Sequence, residues 1–326
     1  MLYFIYRNVL LLLMRSTILV GGQAVIEGVM MRVPGAYATA VRKEDGSIAF
    51  DRHVFNSITT NNKFYGLPII RGMIHLYESM KMGYKTLEWS IDVNTPNVKK
   101  NKILDSLLSF LSILFAITLF FGVPLLLAEF IQKFIGTEGT VSFNIISGLI
   151  RISLFLIYLI GISFLKDIKR LFEFHGAEHK TVYNFESGQE INISNAKTFE
   201  KEHPRCGTSF VFIVMLVAIV SFSIIDTFAI HILDIEELNV ITRLLIHIPC
   251  IPIVAGFSYE VLKIIARFQK YFIFKALAYP GLMLQKITTQ NPDAKQLEVA
   301  IEALRCAFGD NLKQYQGKEF NADAIG

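Results

Sequence analysis

The chain has 326 residues, of which 52% are hydrophobic and only 18% are charged. That charged fraction is too low to cover the surface of an ordinary soluble protein, so a lipid bilayer must solvate much of the chain. The formal net charge of +4 is small, and no run of Lys and Arg alternates with aromatic residues. We therefore expect no nucleic-acid partner.

The first segment, residues 1–20, is apolar but carries Arg7 and Arg15, and it has no small-residue cleavage site. We interpret it as an interfacial or disordered extension and not as a cleaved signal peptide. Residues 21–100 follow as a cytoplasmic β unit plus an amphipathic helix. The β unit is predicted from the turn dipeptide Asp45-Gly46, which lies between two short segments rich in strand-forming residues.

The amphipathic helix of this unit is predicted across residues 67–89, where apolar residues recur at helical spacing with charged residues between them. Such a pattern is typical of a helix on a membrane surface, and equally of a helix that faces a protein core. The sequence leaves both alternatives open.

Four apolar stretches approach the roughly 20 residues that a membrane-spanning helix requires. They cover residues 106–131, 141–165, 208–230 and 240–262. We assign transmembrane helices 1 and 2 to residues 101–165, and helices 3 and 4 to residues 208–265. Arg151 and Arg243 interrupt the second and fourth stretches, and we expect both side chains to snorkel to the outer interface.

The orientation follows from the flanking charges, because short cytoplasmic segments of membrane proteins collect Lys and Arg. Basic residues concentrate before the first span, in the loop 166–207 and after the last span, whereas the other two loops carry few. We expect a multi-pass protein of the plasma membrane with both termini in the cytoplasm. Residues 266–326 form a cytoplasmic helical tail in which Asp293 is a candidate N-cap, and its helix should pack on the β unit.

The loop 166–207 carries the most informative motif, F-H-G-A-E-H-K, at residues 174–180. On a helix, His175 and His179 share one face, so both imidazoles can reach one metal ion. Glu178 completes the order H-x-x-E-H, which is typical of inverzincin peptidases whose Glu activates water. Glu178 is therefore a candidate catalytic residue.

The same loop supplies two more candidate ligands, His203 and Cys206, just before the third span. The three cysteines of the chain form no CxxC pair, so we expect reduced thiols. Three imidazoles and one thiolate predict a zinc site, and a hydrogen-bonded histidine network is the alternative. Four ligands would indicate a structural zinc, and three would leave a position for water.

A second motif, GGQAVIEGVMMR at residues 21–32, places polar residues within an apolar, glycine-rich run. Burial of Gln23, Glu27 and Arg32 would require partners, which favours the wall of a site and makes Glu27 a second candidate catalytic residue. The alternative is a glycine-bulged strand in which Glu27 and Arg32 pair with each other.

Other charges carry less weight. Glu260, near the cytoplasmic end of the last span, is expected to pair with Lys263 or Arg267. Arg71, Asp226 and Asp310 are expected to be solvated or interfacial charges.

The two motifs, together with HPRCGTSF at 203–210, AGFSYE at 255–260 and PGLMLQKITTQNPD at 280–293, resemble the YqhQ-like family of bacterial membrane proteins. The resemblance extends from about residue 21 to about residue 308. It implies a metal-dependent enzyme of unspecified reaction, with His175, Glu178, His179, His203 and Cys206 at the site.

We therefore expect an α-helical integral membrane protein of about four transmembrane helices with a small cytoplasmic α+β part. The first function hypothesis is a zinc-dependent hydrolase that acts on a peptide or lipid at the cytoplasmic membrane surface. The alternative is a non-enzymatic scaffold or membrane-protein assembly factor with a structural zinc, whose partners are other membrane proteins. A transporter is less favoured, because no span shows a central ionisable pair in the sequence.

Overall fold

The computed structural model describes residues 20–60, 62–96, 102–203, 206–268 and 271–317. The predicted extension 1–20 lies outside these residues apart from Val20. The described chain is mainly helical, with four helices long and apolar enough to cross a membrane and one small antiparallel sheet. The predicted fold class is confirmed.

The sheet contains strands β1 (Gly21–Val25), β2 (Gly28–Val33), β3 (Ala36–Arg42) and β4 (Ile48–Val54), paired antiparallel in chain order. The predicted turn at Asp45 joins β3 to β4. The Asp45 carboxylate accepts hydrogen bonds from the Ser47 N–H at 2.8 Å and the Ser47 hydroxyl at 2.6 Å, and Gly46 adopts a positive φ of 84°. A short side chain that bonds its own turn and a residue free to take positive φ together close this hairpin.

The nine helices described next are numbered in chain order. They are α1 (Ile70–Asn94), α2 (Lys102–Ile117), α3 (Val123–Ile135), α4 (Thr140–Ser163), α5 (Lys166–Glu186), α6 (Ile193–Thr198), α7 (Gly207–Leu233), α8 (Val240–Arg267) and α9 (Phe272–Thr288). A π-helical turn, Thr118–Gly122, joins α2 to α3. The C-terminal helices α10 (Ala294–Phe308) and α11 (Leu312–Tyr315) follow.

The four predicted spans agree in position with the long apolar helices. These are the continuous segment Ile103–Ile135 formed by α2, the π turn and α3, then Thr140–Ser163, Gly207–Leu233 and Val240–Arg267. The predicted loop 166–207 is largely helical, since α5 and α6 lie within it, and the predicted tail 266–326 contains α9 and α10. Apolar residues at helical spacing let both segments pack on the rest of the protein.

Strand β2 alternates between two environments. Val29, Met31 and Val33 belong to the core formed with α5 and α10, whereas Met30 faces the opposite side with Met82 of α1. Helix α10 begins with a capping box, because Gln296 and Asp293 bond to each other's backbone N–H. The predicted N-cap and the packing of this helix on the β unit are both confirmed.

Helix α1 crosses α8 where two glycines meet. A Cβ on Gly72 would lie 2.7 Å from the Gly256 oxygen, so only glycine allows this approach. Beside the crossing, Arg71 donates two hydrogen bonds to the Glu260 carboxylate, at 2.7 and 2.5 Å. The expectation that Arg71 is a solvated charge is therefore wrong. The opposite face of α1 exposes large side chains such as Tyr84.

A second buried ion pair joins α4, α7 and α8 within the apolar helices. The fully buried Asp226 carboxylate accepts hydrogen bonds from Asn144 at 2.7 Å and from Arg243, and it lies 2.8 Å from the His247 Nε2. The sequence-based expectations were wrong here. Asp226 is not solvated and Arg243 does not snorkel, but the pair lies near the α7–α8 loop and not at the centre of a span.

Arg151 is also buried near the middle of α4 and not at an interface. Its Nε donates to the Phe120 carbonyl at 2.8 Å, and the guanidinium lies 4.8 Å from the centroid of the Phe121 ring. Phe120 lies in the π turn, where the regular helical hydrogen-bond pattern is interrupted. Arg151 therefore binds a neighbouring helix, which corrects the prediction that it snorkels.

Removing the Asp226 carboxylate should destabilise the protein strongly, because Arg243 would keep a buried charge without its counter-ion. We expect Asp226→Ala to lower the free energy of unfolding by about 3 kcal/mol or more, and thermal unfolding of detergent-purified protein would detect the loss. The control is Glu236→Ala, since Glu236 is exposed in the α7–α8 loop. Equal melting temperatures for the two variants would contradict the structural role of the pair.

Candidate metal centre

A cavity of about 520 Å³ lies where the sheet meets helices α1, α5 and the N-terminus of α7. Both motifs singled out in the sequence contribute to its wall, the glycine-rich one through β1 and β2 and the histidine-rich one through α5. The segment at His203 and Cys206 closes the wall at the start of α7. The fold thus brings three separate stretches of sequence to one cavity.

The two α5 histidines are oriented by backbone carbonyls. His175 Nδ1 lies 2.8 Å from the Thr288 oxygen, and His179 Nδ1 lies 2.5 Å from the Lys201 oxygen. A carbonyl can only accept, so each Nδ1 carries the proton and each Nε2 keeps its lone pair. This is the arrangement by which proteins fix metal-binding histidines.

Cys206 caps the N-terminus of α7. Its Sγ lies 3.1 Å from the His175 Nε2 and 2.8 Å from the Thr208 hydroxyl oxygen. Burial by itself would raise the pKa of the Cys206 thiol, but its interactions with His179 and Thr208 outweigh burial, and the net pKa lies below the usual value. A helix N-terminus favours the thiolate further.

His175, His179 and Cys206 form one ligand group, because one ligand atom from each lies within 4.8 Å of the other two. Burial lowers the pKa of His179, so its imidazole stays neutral and able to bind a metal. The donor set of two imidazoles and one low-pKa thiol fits a transition-metal ion.

His203 lies beside this group. Its ring centroid is 5.6 Å from that of His179, and its Nε2 lies 3.7 Å from a Glu186 carboxylate oxygen. The structure thus brings three of the four predicted ligands together and places the fourth beside them, near Glu186. Whether His203 binds a metal stays a prediction.

Glu178 lines the cavity and lies against the backbone of β1. The Gly22 N–H bonds to its carboxyl, and a Cβ on Gly22 would lie 2.9 Å from the Glu178 Cδ and 2.5 Å from the Met30 oxygen. Burial raises the pKa of Glu178 to about 8, with the charge of Cys206 adding to the shift. The glycine at position 22 therefore makes room for a buried carboxyl that can exchange a proton near neutral pH.

The second predicted catalytic residue, Glu27, lies elsewhere. It occupies the β1–β2 turn with a positive φ of 54° and pairs with Arg170 of α5. Glu27 is not among the residues that line the cavity, so the structure does not bring it to the metal group. Its suggested partner Arg32 lies instead in the cavity wall, 4.5 Å from the centroid of the Phe55 ring. The proposed Glu27–Arg32 pair is wrong.

Some residues that support the centre were missed in the sequence. Gln285 of α9 accepts from the His203 N–H at 2.6 Å and donates to the His203 oxygen at 2.8 Å, so it fixes the segment that carries Cys206. Thr288 acts only through its carbonyl. The sequence could have indicated Gln285, because a polar Gln within an apolar helix needs a hydrogen-bond partner. It could not have indicated Thr288, because a backbone carbonyl is the same in every residue.

Residues 67–310 match a family described as "Protein of unknown function (DUF1385)". The chain belongs to this family. It is also 35% identical over 298 residues to a Bacillus subtilis (strain 168) protein described as "Uncharacterized protein YqhQ", a match that covers 87% of this chain and 90% of the relative. No solved structure matches. The resemblance to a YqhQ-like family is confirmed, and these descriptions specify no reaction or metal.

Metal content should distinguish three ligands from four. We expect His175→Ala, His179→Ala and Cys206→Ser each to lower the bound metal severalfold, because each removes a donor atom of the group. His203→Ala should retain most of the metal, as should the control His53→Ala at an exposed histidine. Mass spectrometry for metals on purified protein would measure this. Loss of metal in His203→Ala would instead support the four-ligand site.

Proposed function

We propose that this protein is a zinc-dependent hydrolase that acts on a peptide or lipid at the cytoplasmic surface of the bacterial plasma membrane. The observation that carries the proposal is the three-ligand group of His175, His179 and Cys206 in the wall of a large cavity that also contains Glu178. Three protein ligands leave a coordination position open, as catalytic zinc sites do.

Zinc is the metal that the ligand chemistry favours. Imidazole and thiolate are both ligand types that zinc binds, and the i, i+4 spacing of His175 and His179 on α5 suits tetrahedral geometry. His175, His179 and Cys206 would hold the ion, and a zinc bound there would make water a stronger acid near neutral pH.

Glu178 is the proposed proton carrier. Adjacent residues on a helix point about 100° apart, so Glu178 does not share the direction of His179, and its carboxyl rests on Gly22 within the cavity wall. A carboxyl held in that position can take a proton from water and return it to a leaving group.

The cytoplasmic location rests on the distribution of charge. Basic residues concentrate in 166–207 and after the fourth span, on the side where the cavity lies. The α7–α8 loop carries Asp234, Glu236 and Glu237 and belongs on the opposite side. Both termini are then cytoplasmic, and a substrate would reach the cavity from the inner membrane surface.

The rival function, a scaffold with a structural zinc, would require a closed shell of four ligands. The position of His203, whose Nε2 faces Glu186, favours the open shell instead. A cavity of about 520 Å³ beside the ligands is also what a substrate requires and what a purely structural site does not.

Glu178→Gln should separate the two functions. Because the amide cannot accept a proton from water, we expect this variant to keep its metal and its melting temperature but to lose hydrolysis by at least about 100-fold. Lipid extracts and membrane peptides from cells that lack the gene would be compared by mass spectrometry after expression of wild type or variant. The wild type alone should convert the accumulated substrate.

Two controls sharpen this comparison. Glu190→Gln alters an exposed carboxylate, and Glu27→Gln alters the carboxylate paired with Arg170, so both variants should behave as wild type. A fully active Glu178→Gln, together with a Cys206→Ser variant that is unstable and metal-free, would support the scaffold and overturn the hydrolase.

Membrane topology can be tested with single cysteine substitutions at exposed positions. Cysteine placed at Glu138 or Glu236 should react with a membrane-impermeant maleimide in intact cells, whereas cysteine placed at Ser187 should react only after lysis. The native protein provides the background reaction. Labelling of the Ser187 position in intact cells would place the cavity outside the cytoplasm.

A further inference from the structure

We propose that Arg32 binds the negatively charged headgroup of a membrane lipid in the cavity, which makes an anionic lipid the substrate. The inference rests on the proposed hydrolase function and deepens it. The Arg32 side chain points into the cavity. Arg32 follows Met30 by two residues on β2, so both side chains lie on the cavity face of the strand, whereas Met31 lies on the core face.

Arg32 has unused hydrogen-bonding capacity. Within the described parts of the chain, its guanidinium makes no hydrogen bond and no ion pair, and its one specific contact is with the Phe55 ring. The residue is half-buried, so bulk water solvates it only in part. A guanidinium with five donors in such a position is complementary to a carboxylate or phosphate.

Among the described residues, no carboxylate bonds to the Arg32 guanidinium. The carboxylate that acts most strongly on Arg32 is Glu78, and it is engaged elsewhere, since it accepts from the Ser57 hydroxyl at 2.8 Å and from the Ile58 N–H at 2.6 Å. The Arg32 donors are therefore available to a ligand. The same cavity contains the metal ligands, so a bound anion would lie in one space with the reacting group.

The remainder of the wall points to a lipid. Four apolar side chains also line the cavity and give an apolar surface in the same space as the cation, Leu171, Phe172 and Val182 of α5 and Met82 of α1. Phe172 also packs with Leu159 of the α4 span, so this surface is continuous with a membrane-spanning helix. A headgroup bound at Arg32 could keep its acyl chains in the bilayer, whereas a soluble metabolite would gain little from this wall.

The test is lipid selectivity of the full-length protein. The wild-type protein would be placed in nanodiscs that contain phosphatidylcholine and phosphatidylglycerol. Native mass spectrometry would then release the protein from the nanodisc and count how many molecules of each lipid stay bound to it. We expect the wild type to prefer phosphatidylglycerol and Arg32→Gln to lower this preference about tenfold. A tenfold change in affinity is about what the loss of one charge-assisted hydrogen bond causes. Arg170→Gln is the matched control, because that arginine pairs with Glu27 outside the cavity.

If the melting temperature shows that Arg32→Gln does not fold, Arg32→Lys would be measured instead. It keeps the charge but loses the planar fork, so the preference should fall by a smaller factor. An unchanged preference in a folded Arg32 variant would overturn the proposal. So would displacement of phosphatidylglycerol by equimolar inorganic phosphate or by a short peptide with a free C-terminal carboxylate, since the anion would then not be a lipid.

Failure of this inference is distinguishable from failure of the hydrolase. The double variant His175→Ala/His179→Ala should lose metal but retain much of the Arg32-dependent lipid preference. A wild type without metal that still shows the Arg32 effect would refute the hydrolase and leave the lipid site. A metal-containing, active wild type without an Arg32 effect would refute the lipid site alone.

Discussion

The Glu178 carboxyl rests on the backbone of Gly22, and this contact determines how helix α5 meets the sheet. A side chain at position 22 would separate α5 from β1 and would displace the carboxyl from the cavity. On the same helix, His175 and His179 are held by backbone carbonyls from α9 and from the segment before α7. The candidate centre therefore depends on α5 being fixed from three directions at once.

The membrane helices are fixed by buried charge as well as by apolar packing. Arg71 and Glu260 join α1 to α8, and the Asp226 cluster joins α4, α7 and α8. Such pairs cost desolvation, but once formed they make separation of the helices expensive, because each partner would be left as an isolated charge. The Asp226 carboxylate is saturated by its neighbours, which suits a fixed crosslink better than a site for a moving ion.

Local periodicity made part of this structure predictable. The i, i+4 spacing of His175 and His179, the Asp45-Gly46 turn and the Asp293 cap depend on neighbours in sequence, and the structure has each of them. Partners distant in sequence could not be inferred. Arg71 and Glu260 are separated by 189 residues, and His175 and Thr288 by 113, so only the packing of helices brings them together.

Charge balance in the cavity connects the metal centre to the inferred ligand. A divalent ion bound by two neutral imidazoles and one thiolate would keep one positive charge, and Arg32 would add a second in the same cavity. Glu178 can offset at most one of these. An excess of positive charge in a partly desolvated cavity is costly unless an anion enters. An ionised Glu178 and a hydroxide would together balance this charge, and a negatively charged ligand at Arg32 could take the place of either.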